Sequence, residues 1–253
     1  MAGVGGVVML LASLAIVSTV AGAQTTGTST SVTATPSATT TGKPVSIKAT
    51  VTAVTTNANV ITGTVTFSIT GSNSSTVNCT GGDAVPVSHG SATCKVGFEQ
   101  LQAVDSPYAI SATYSGDSNY SGSTGNASET VTPTKTRGKM KVSPKVNSGT
   151  ANVFTLTVKT RPAAAGSLLS GNVRFTVAGT NANKSKCAGG DLQPLAVSGN
   201  VGTAECSLPS GWFRVPAPTK TEKHPVARYN VTGVYLGNGN FLSSQKSKQG
   251  KRH

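Results

Sequence analysis

From Val45 the chain alternates. Val45, Ile47, Ala49 and Val51 share one side of a two-residue period, and Ser46, Lys48 and Thr50 share the other. The same alternation returns at Val65, Phe67 and Ile69, and around Ala109 with Tyr108, Ile110 and Tyr114. It returns further on with Val153, Leu156 and Val158, with Val173, Phe175 and Val177, and with Val231 and Tyr235. Period two with one apolar side is the mark of a half-buried β-strand. Clusters of Gly, Asn, Asp and Pro separate these runs at roughly the 8–12-residue spacing of a sandwich. One sheet cannot cover its own apolar face, so two packed sheets are expected.

The pattern is duplicated. Thr62-Gly63-Thr64-Val65-Thr66-Phe67 lines up with Ser170-Gly171-Asn172-Val173-Arg174-Phe175, and Cys79-Thr80-Gly81-Gly82-Asp83 with Cys187-Ala188-Gly189-Gly190-Asp191, both at an offset of 108 residues. Pro86 and Pro194 keep that offset. Gly90 to Cys94 matches Gly202 to Cys206 at 112, and Tyr114-Ser115-Gly116-Asp117-Ser118-Asn119-Tyr120 matches Tyr235-Leu236-Gly237-Asn238-Gly239-Asn240-Phe241 at 121. The offset grows only between elements, as insertions in surface loops make it grow. The expectation is all-β: two tandem immunoglobulin-like β-sandwich domains, 24–134 and 135–253, the second with a basic linker and tail.

Ile110 to Ser123, with its Tyr-Ser-Gly-Asp-Ser-Asn-Tyr core, closely resembles the last two strands of bacterial Ig-like repeat domains of group 3. Thr62 to Phe67 resembles that family's middle strand, and Pro36 with Gly42-Lys43-Pro44-Val45 its opening. The resemblance covers about Thr30 to Thr132, and more weakly Lys139 to Ser244, where the Asp after Gly237 is lost. It implies a secreted or cell-surface module, a stalk or binding unit in tandem arrays, with no catalytic residues to carry over.

Composition fits this reading. Only 11% of the 253 residues are charged, and Thr, Ser, Gly and Val abound. Val4 to Ala23 is apolar and ends Ala21-Gly22-Ala23, which reads as a secretory signal peptide over residues 1–23 and places the protein outside the cell or on its surface. No Lys or Arg precedes the apolar run, so an uncleaved anchor is the competing reading. Ala23 to Thr41 is Thr/Ser-rich, and its first few residues are expected to form a flexible start.

Four cysteines fall two per copy, and only Cys79 with Cys94 and Cys187 with Cys206 preserve the repeat unit. Bridges over loops this short contribute about 3 kcal/mol each. Zinc is the alternative, but ligand spacing and nearby His are missing. For catalysis the sequence offers His89, His224 and His253 in turn-like or terminal contexts, no Gly-x-Ser-x-Gly turn and no paired carboxylates. No catalytic residue, metal or cofactor is assigned, and a secreted hydrolase is the disfavoured reading. Asp117-Ser118-Asn119 is read as a hairpin turn rather than a calcium loop. Asn73, Asn78, Asn126 and Asn183 head glycosylation sequons, which matter only in a host that uses them.

Charge is the one hint of a partner. Residues 24–134 carry three Lys against five acids, net −2, whereas 135–253 carry eighteen Lys and Arg against three acids, net +15. The cations cluster at Lys135, Arg137, Lys139, Lys141 and Lys145, and again at Lys246, Lys248, Lys251 and Arg252. So basic a domain attracts polyanions: anionic wall polymers, glycans, lipid headgroups or extracellular DNA. Sequence-specific nucleic-acid recognition and a small-molecule substrate are not expected. Trp212 and Phe213 stand as the exposed aromatic candidates, and no reading motif accompanies them. Linker and tail form one patch if the first and last strands of the second copy lie side by side. The rival reading is a structural spacer whose charge serves solubility.

Overall fold

The computed structural model describes residues 25–56, 59–143, 146, 150–161, 163–179, 186–213, 215–223 and 226–252. The proposed signal peptide or anchor, Lys145, the Asn183 sequon, His224 and His253 lie outside these residues. Among the described residues no helix is long and apolar enough to cross a membrane.

The first sandwich is built from β1 (Thr28–Thr35), β2 (Ala38–Thr40), β3 (Val45–Ala53), β4 (Thr64–Gly71), β5 (Thr76–Val77), β6 (Ala84–Pro86), β7 (Ser91–Val96), β8 (Tyr108–Tyr114) and β9 (Ser123–Thr132). One sheet runs β1-β3-β7; the other runs β2-β9-β8-β4-β5, with β6 also on β4. The second is built from β10 (Thr136–Ser143), β11 (Asn152–Thr160), β12 (Asn172–Gly179), β13 (Leu192–Pro194), β14 (Ala196–Ser198), β15 (Val201–Leu208), β16 (Ala227–Tyr235) and β17 (Ser244–Arg252). Its sheets run β10-β11-β15-β14 and β13-β12-β16-β17. The chain is all-β, with Ig-like sandwiches in tandem.

Alternation sets each core. Val45, Ile47, Ala49 and Val51 of β3 face Val65, Phe67 and Ile69 of β4 and Tyr108, Ile110 and Tyr114 of β8, all buried. Phe154, Leu156 and Val158 of β11 do the same against Val173, Phe175, Val231 and Tyr235. Val153, expected on the inner side, is half-exposed, because Phe154 takes the core position and fixes the parity of β11. Thr28–Thr35, in the stretch expected to begin flexibly, is a full strand paired residue by residue with β3.

Two larger corrections concern the second sandwich. The basic "linker" is β10, whose Met140 is buried against β11, and the basic "tail" is β17, paired along its whole length with β16. Trp212 and Phe213 are buried at 5% and 1% exposure rather than displayed. They fold back after β15 and join Phe154 and Tyr229 in a mostly edge-to-face cluster, ring centroids 5.1–6.0 Å apart, and Trp212 Nε1 donates to Asn152 Oδ1 at 2.9 Å. The insertion that raises the repeat offset from 112 to 121 carries this aromatic plug.

Candidate functional site

The Cys-x-Gly-Gly-Asp motifs build the same clip twice. Asp83 Oδ1 accepts from Cys79 N at 2.7 Å and Asp191 Oδ1 from Cys187 N at 3.2 Å, while each Asp carbonyl accepts from the Phe of the neighbouring strand. Gly81, Gly82, Gly189 and Gly190 all have positive φ; a Cβ would meet open space at three of them and only ordinary contact with the Gln193 side chain at Gly189, so backbone conformation and not crowding requires glycine. The sulfurs of Cys79 and Cys94 are bonded, as are those of Cys187 and Cys206, tying this loop to the strand of the opposite sheet.

Asp117 is consumed by the hairpin it sits in. Its oxygens accept from Thr62 N and Oγ1, Asn119 N, Tyr120 N and the Tyr114 hydroxyl, at 2.8–3.2 Å. Burial opposes the charged form, but the bonds from Thr62, Asn119 and Tyr120 outweigh it and hold the carboxyl at about 2. Asn238 repeats the turn with reversed polarity on one side: its Oδ1 accepts from Asn240 N and Phe241 N, and its Nδ2 donates to Leu168 O and Ser170 Oγ. Among the described residues no group of three or more His, Cys, Asp or Glu is arranged to hold a metal. His89 lies in an exposed turn at φ 49°, with Nδ1 3.0 Å from Ser88 Oγ.

The cations form a definite surface. On β10, Met140 points inward, which sends Arg137, Lys139 and Lys141 outward. Alternate residues of a strand stand roughly 7 Å apart, so these side chains form an evenly spaced row. Opposite them on β11 are Lys159, Thr157 and Thr155. One strand further, Glu205 accepts from Thr155 Oγ1 at the Lys141 end of the row. Like charges directly opposed, as at Arg137 and Lys159, weaken a sheet.

β17 runs beside β10. Thr136 Oγ1 bonds Ser244 Oγ at 2.7 Å and donates to Leu242 O at 3.2 Å, and a methyl on Gly138 would lie 3.5 Å from Lys246 Cβ. Lys246 and Lys248 pair with core-facing Gly233 and Val231, so they leave the inner side of β17 at the open edge, next to the β10 row, and are exposed. Lys251 has the opposite parity. It pairs with Arg228 on the outer side of its sheet, beside a groove of about 410 Å³, and is separated from the row. The Arg252 side chain lies outside the description. Lys135 is exposed at the start of the row. Sequence reading missed Lys159, Arg161, Arg228 and Lys43; strand parity would have found the first, and the others need the fold.

The sandwiches are joined by more than the connector. Asn240, 7% exposed, accepts through Oδ1 from Thr41 Oγ1 and Val104 N, donates to Gln102 Oε1 at 2.9 Å, and accepts through its carbonyl from Thr134 N. Ser167 Oγ donates to Glu99 Oε2 at 2.6 Å across the same junction.

These features define a tandem of Ig-like β-sandwiches, each clipped by a disulfide. Residues 32–132, the bulk of the first sandwich, match the family model described as bacterial Ig-like domain (group 3). No curated protein matches the sequence. Solved structures with similarity include trypsin-activated alpha-2-macroglobulin from Escherichia coli, at 9% identity over 91% of this chain with a TM-score of 0.36. Another is the Yersinia pseudotuberculosis adhesin InvE, at 13% identity over 87% of this chain with a TM-score of 0.35. The chain spans 18% of the length of that macroglobulin and 58% of that of the adhesin.

Proposed function

We propose that the protein is a non-enzymatic, secreted or cell-surface Ig-like module whose second sandwich docks to an anionic surface polymer. The reading is supported chiefly by the row of outward cations on β10, reinforced at the open edge by Lys246 and Lys248. A charge stripe of this kind attracts polyanions and releases them as salt rises. The disulfides suit an oxidising compartment.

The test compares the full chain with a variant carrying Gln at positions 137, 139, 141, 246 and 248, on immobilised polyanion at rising salt. Retention of the wild type at low salt with a steep fall, and passage of the variant, is the expected result. Passage of both at low salt removes the docking reading.

A spacer role is the second reading, favoured by the junction. Asn240 bonds three groups of the first sandwich and Thr134 N of the connector, and a methyl at Gly239 would collide with Val104. A chain that shows one extended shape in small-angle scattering, but no polymer retention, is a spacer.

A further inference from the structure

We infer that the cleft between the two sandwiches is a subsite for one charged group of a linear polyol-phosphate polymer, which then continues along β10. The inference rests on the docking reading and adds a place and a chemistry to it. The cleft is about 540 Å³ and draws cations from three separate stretches: Lys43 in the turn after β2, Lys135 in the connector, and Arg161 just past β11. Residues 24–134 hold only three lysines, and one of them is here. The described lining includes no carboxylate. Pro133 and Leu242, the latter 45% exposed, give the cleft an apolar wall on which the carbon segment of a polymer repeat can rest.

The cleft and the β10 row are continuous. Lys135, Arg137, Lys139 and Lys141 occur at every second residue, and Arg161 lies two residues beyond Lys159, the partner of Arg137. A compact anion would fill the cleft and leave the row unused. A polymer with one charge per roughly 7 Å meets both, since that is the interval of alternate strand residues. Phosphodiesters joined through a three-carbon polyol have charges at about this interval when extended, whereas polyuronates set theirs closer. Single-stranded nucleic acid shares the phosphodiester interval, but its binders stack bases on aromatic side chains. On β10, β11 and β17 the one aromatic residue is Phe154, and it is buried.

The experiment uses the full chain, poly(glycerol phosphate) of defined length, and equilibrium titration at several salt concentrations. Lys43→Gln with Arg161→Gln is compared with Lys48→Gln with Lys95→Gln, which removes the same charge from exposed strand positions of the first sandwich. The junction pair is expected to weaken binding about tenfold or more, and to lower the salt slope by about two. The control pair leaves both nearly unchanged. Equal loss in both pairs, or none in the junction pair while the wild type binds, overturns the subsite but leaves polymer docking intact. No binding by the wild type overturns both. An oligothymidylate that binds as tightly as the polyol phosphate, with the same dependence on Lys43 and Arg161, overturns the choice of polymer.

Discussion

The same edge was built twice in this chain, with opposite chemistry. β1 and β10 superpose in sequence at an offset of 108, and Ser29, Ser31 and Thr33 stand where Arg137, Lys139 and Lys141 stand in the second sandwich. β9 and β17 correspond at 121, which sets Gly125 and Ala127 against Lys246 and Lys248. First and last strands meet at a glycine in each copy, on β9 in the first and on β10 in the second. Gly125 of β9 lies tight against the Thr30 backbone carbonyl in the first; in the second Gly138 of β10 is the counterpart of Thr30, and Lys246, in the place of Gly125, stands at ordinary contact distance from it. The backbone of β10 leaves room for a lysine where that of β1 crowds position 125, so the cationic edge is a property of the paired strands, not of a few added surface charges.

The largest expected effect falls on that difference. A side chain at Gly125 would run into the Thr30 carbonyl, part of the backbone, so Gly125→Lys is expected to destabilise the first sandwich by about 3 kcal/mol. Adding Thr30→Gly removes only the side chain and leaves that carbonyl in place, so it should return little of the loss. Urea unfolding of the four chains in a double-mutant cycle measures this, and a large rescue by Thr30→Gly would show that the side chain, not the carbonyl, blocks position 125.

Next come the hairpin residues. Asp117→Ala leaves Thr62 N, Asn119 N and Tyr120 N without their acceptor and is expected to cost about 2 kcal/mol. Asn238→Ala, which loses neutral bonds, should cost about 1 kcal/mol. Because the Asp117 carboxyl is depressed to about 2, its contribution is present above the unfolded carboxyl value and fades only as pH falls toward 2. Equal losses in the two variants would deny that charge matters at this turn.

Glu129 separates the copies in pH. It is 1% exposed on the inner side of β9, neither oxygen has a hydrogen-bond partner, and burial raises its carboxyl from 4.5 to about 6. Its counterpart in β17 is Gly250, with Tyr229 packed against it. A raised folded value means that the folded chain holds the proton more tightly. The first sandwich is then most stable below pH 4.5 and loses up to about 2 kcal/mol as pH rises through 6. Hydrogen exchange of β8 and β9 amides at pH 5 and 7, corrected for intrinsic rate, measures this. Glu129→Gln should abolish the difference, and its persistence in that variant would assign it to another group.

What the sequence made legible follows from where apolar residues carry the signal. β3, β4, β8, β11, β12 and β16 alternate with large apolar side chains, and their faces could be read, with the parity of β11 mistaken only where Val153 and Phe154 adjoin. The repeat alone selected the disulfide partners. β17 has no apolar residue; its strand state comes from backbone pairing with β16, so it read as a solvated tail. Had it been read as a strand, parity would already have set Lys251 apart from Lys246 and Lys248. Trp212 and Phe213 sit in an insertion without a counterpart, where no pattern marks an inner side. Asn240 reads as a turn residue in any register, and its second task, bonding Thr41, Gln102 and Val104 of the other sandwich, arises only when the two are placed end to end.

The smallest expected effect on stability is also the sharpest test of the comparison. Ser29→Arg, Ser31→Lys and Thr33→Lys write the β10 row onto β1. Ser29, Ser31 and Thr33 are exposed and face away from the core, so the triple variant should change stability by less than about 0.5 kcal/mol per position. If evenly spaced cations on a strand suffice, a chain carrying this row, and Gln at 137, 139 and 141, should regain polyanion retention with a similar salt slope. If it folds but passes through the column, spacing alone is not enough. The second edge then owes its role to what the first edge lacks: Lys246 and Lys248 alongside, with Lys135 and Arg161 at one end of the row.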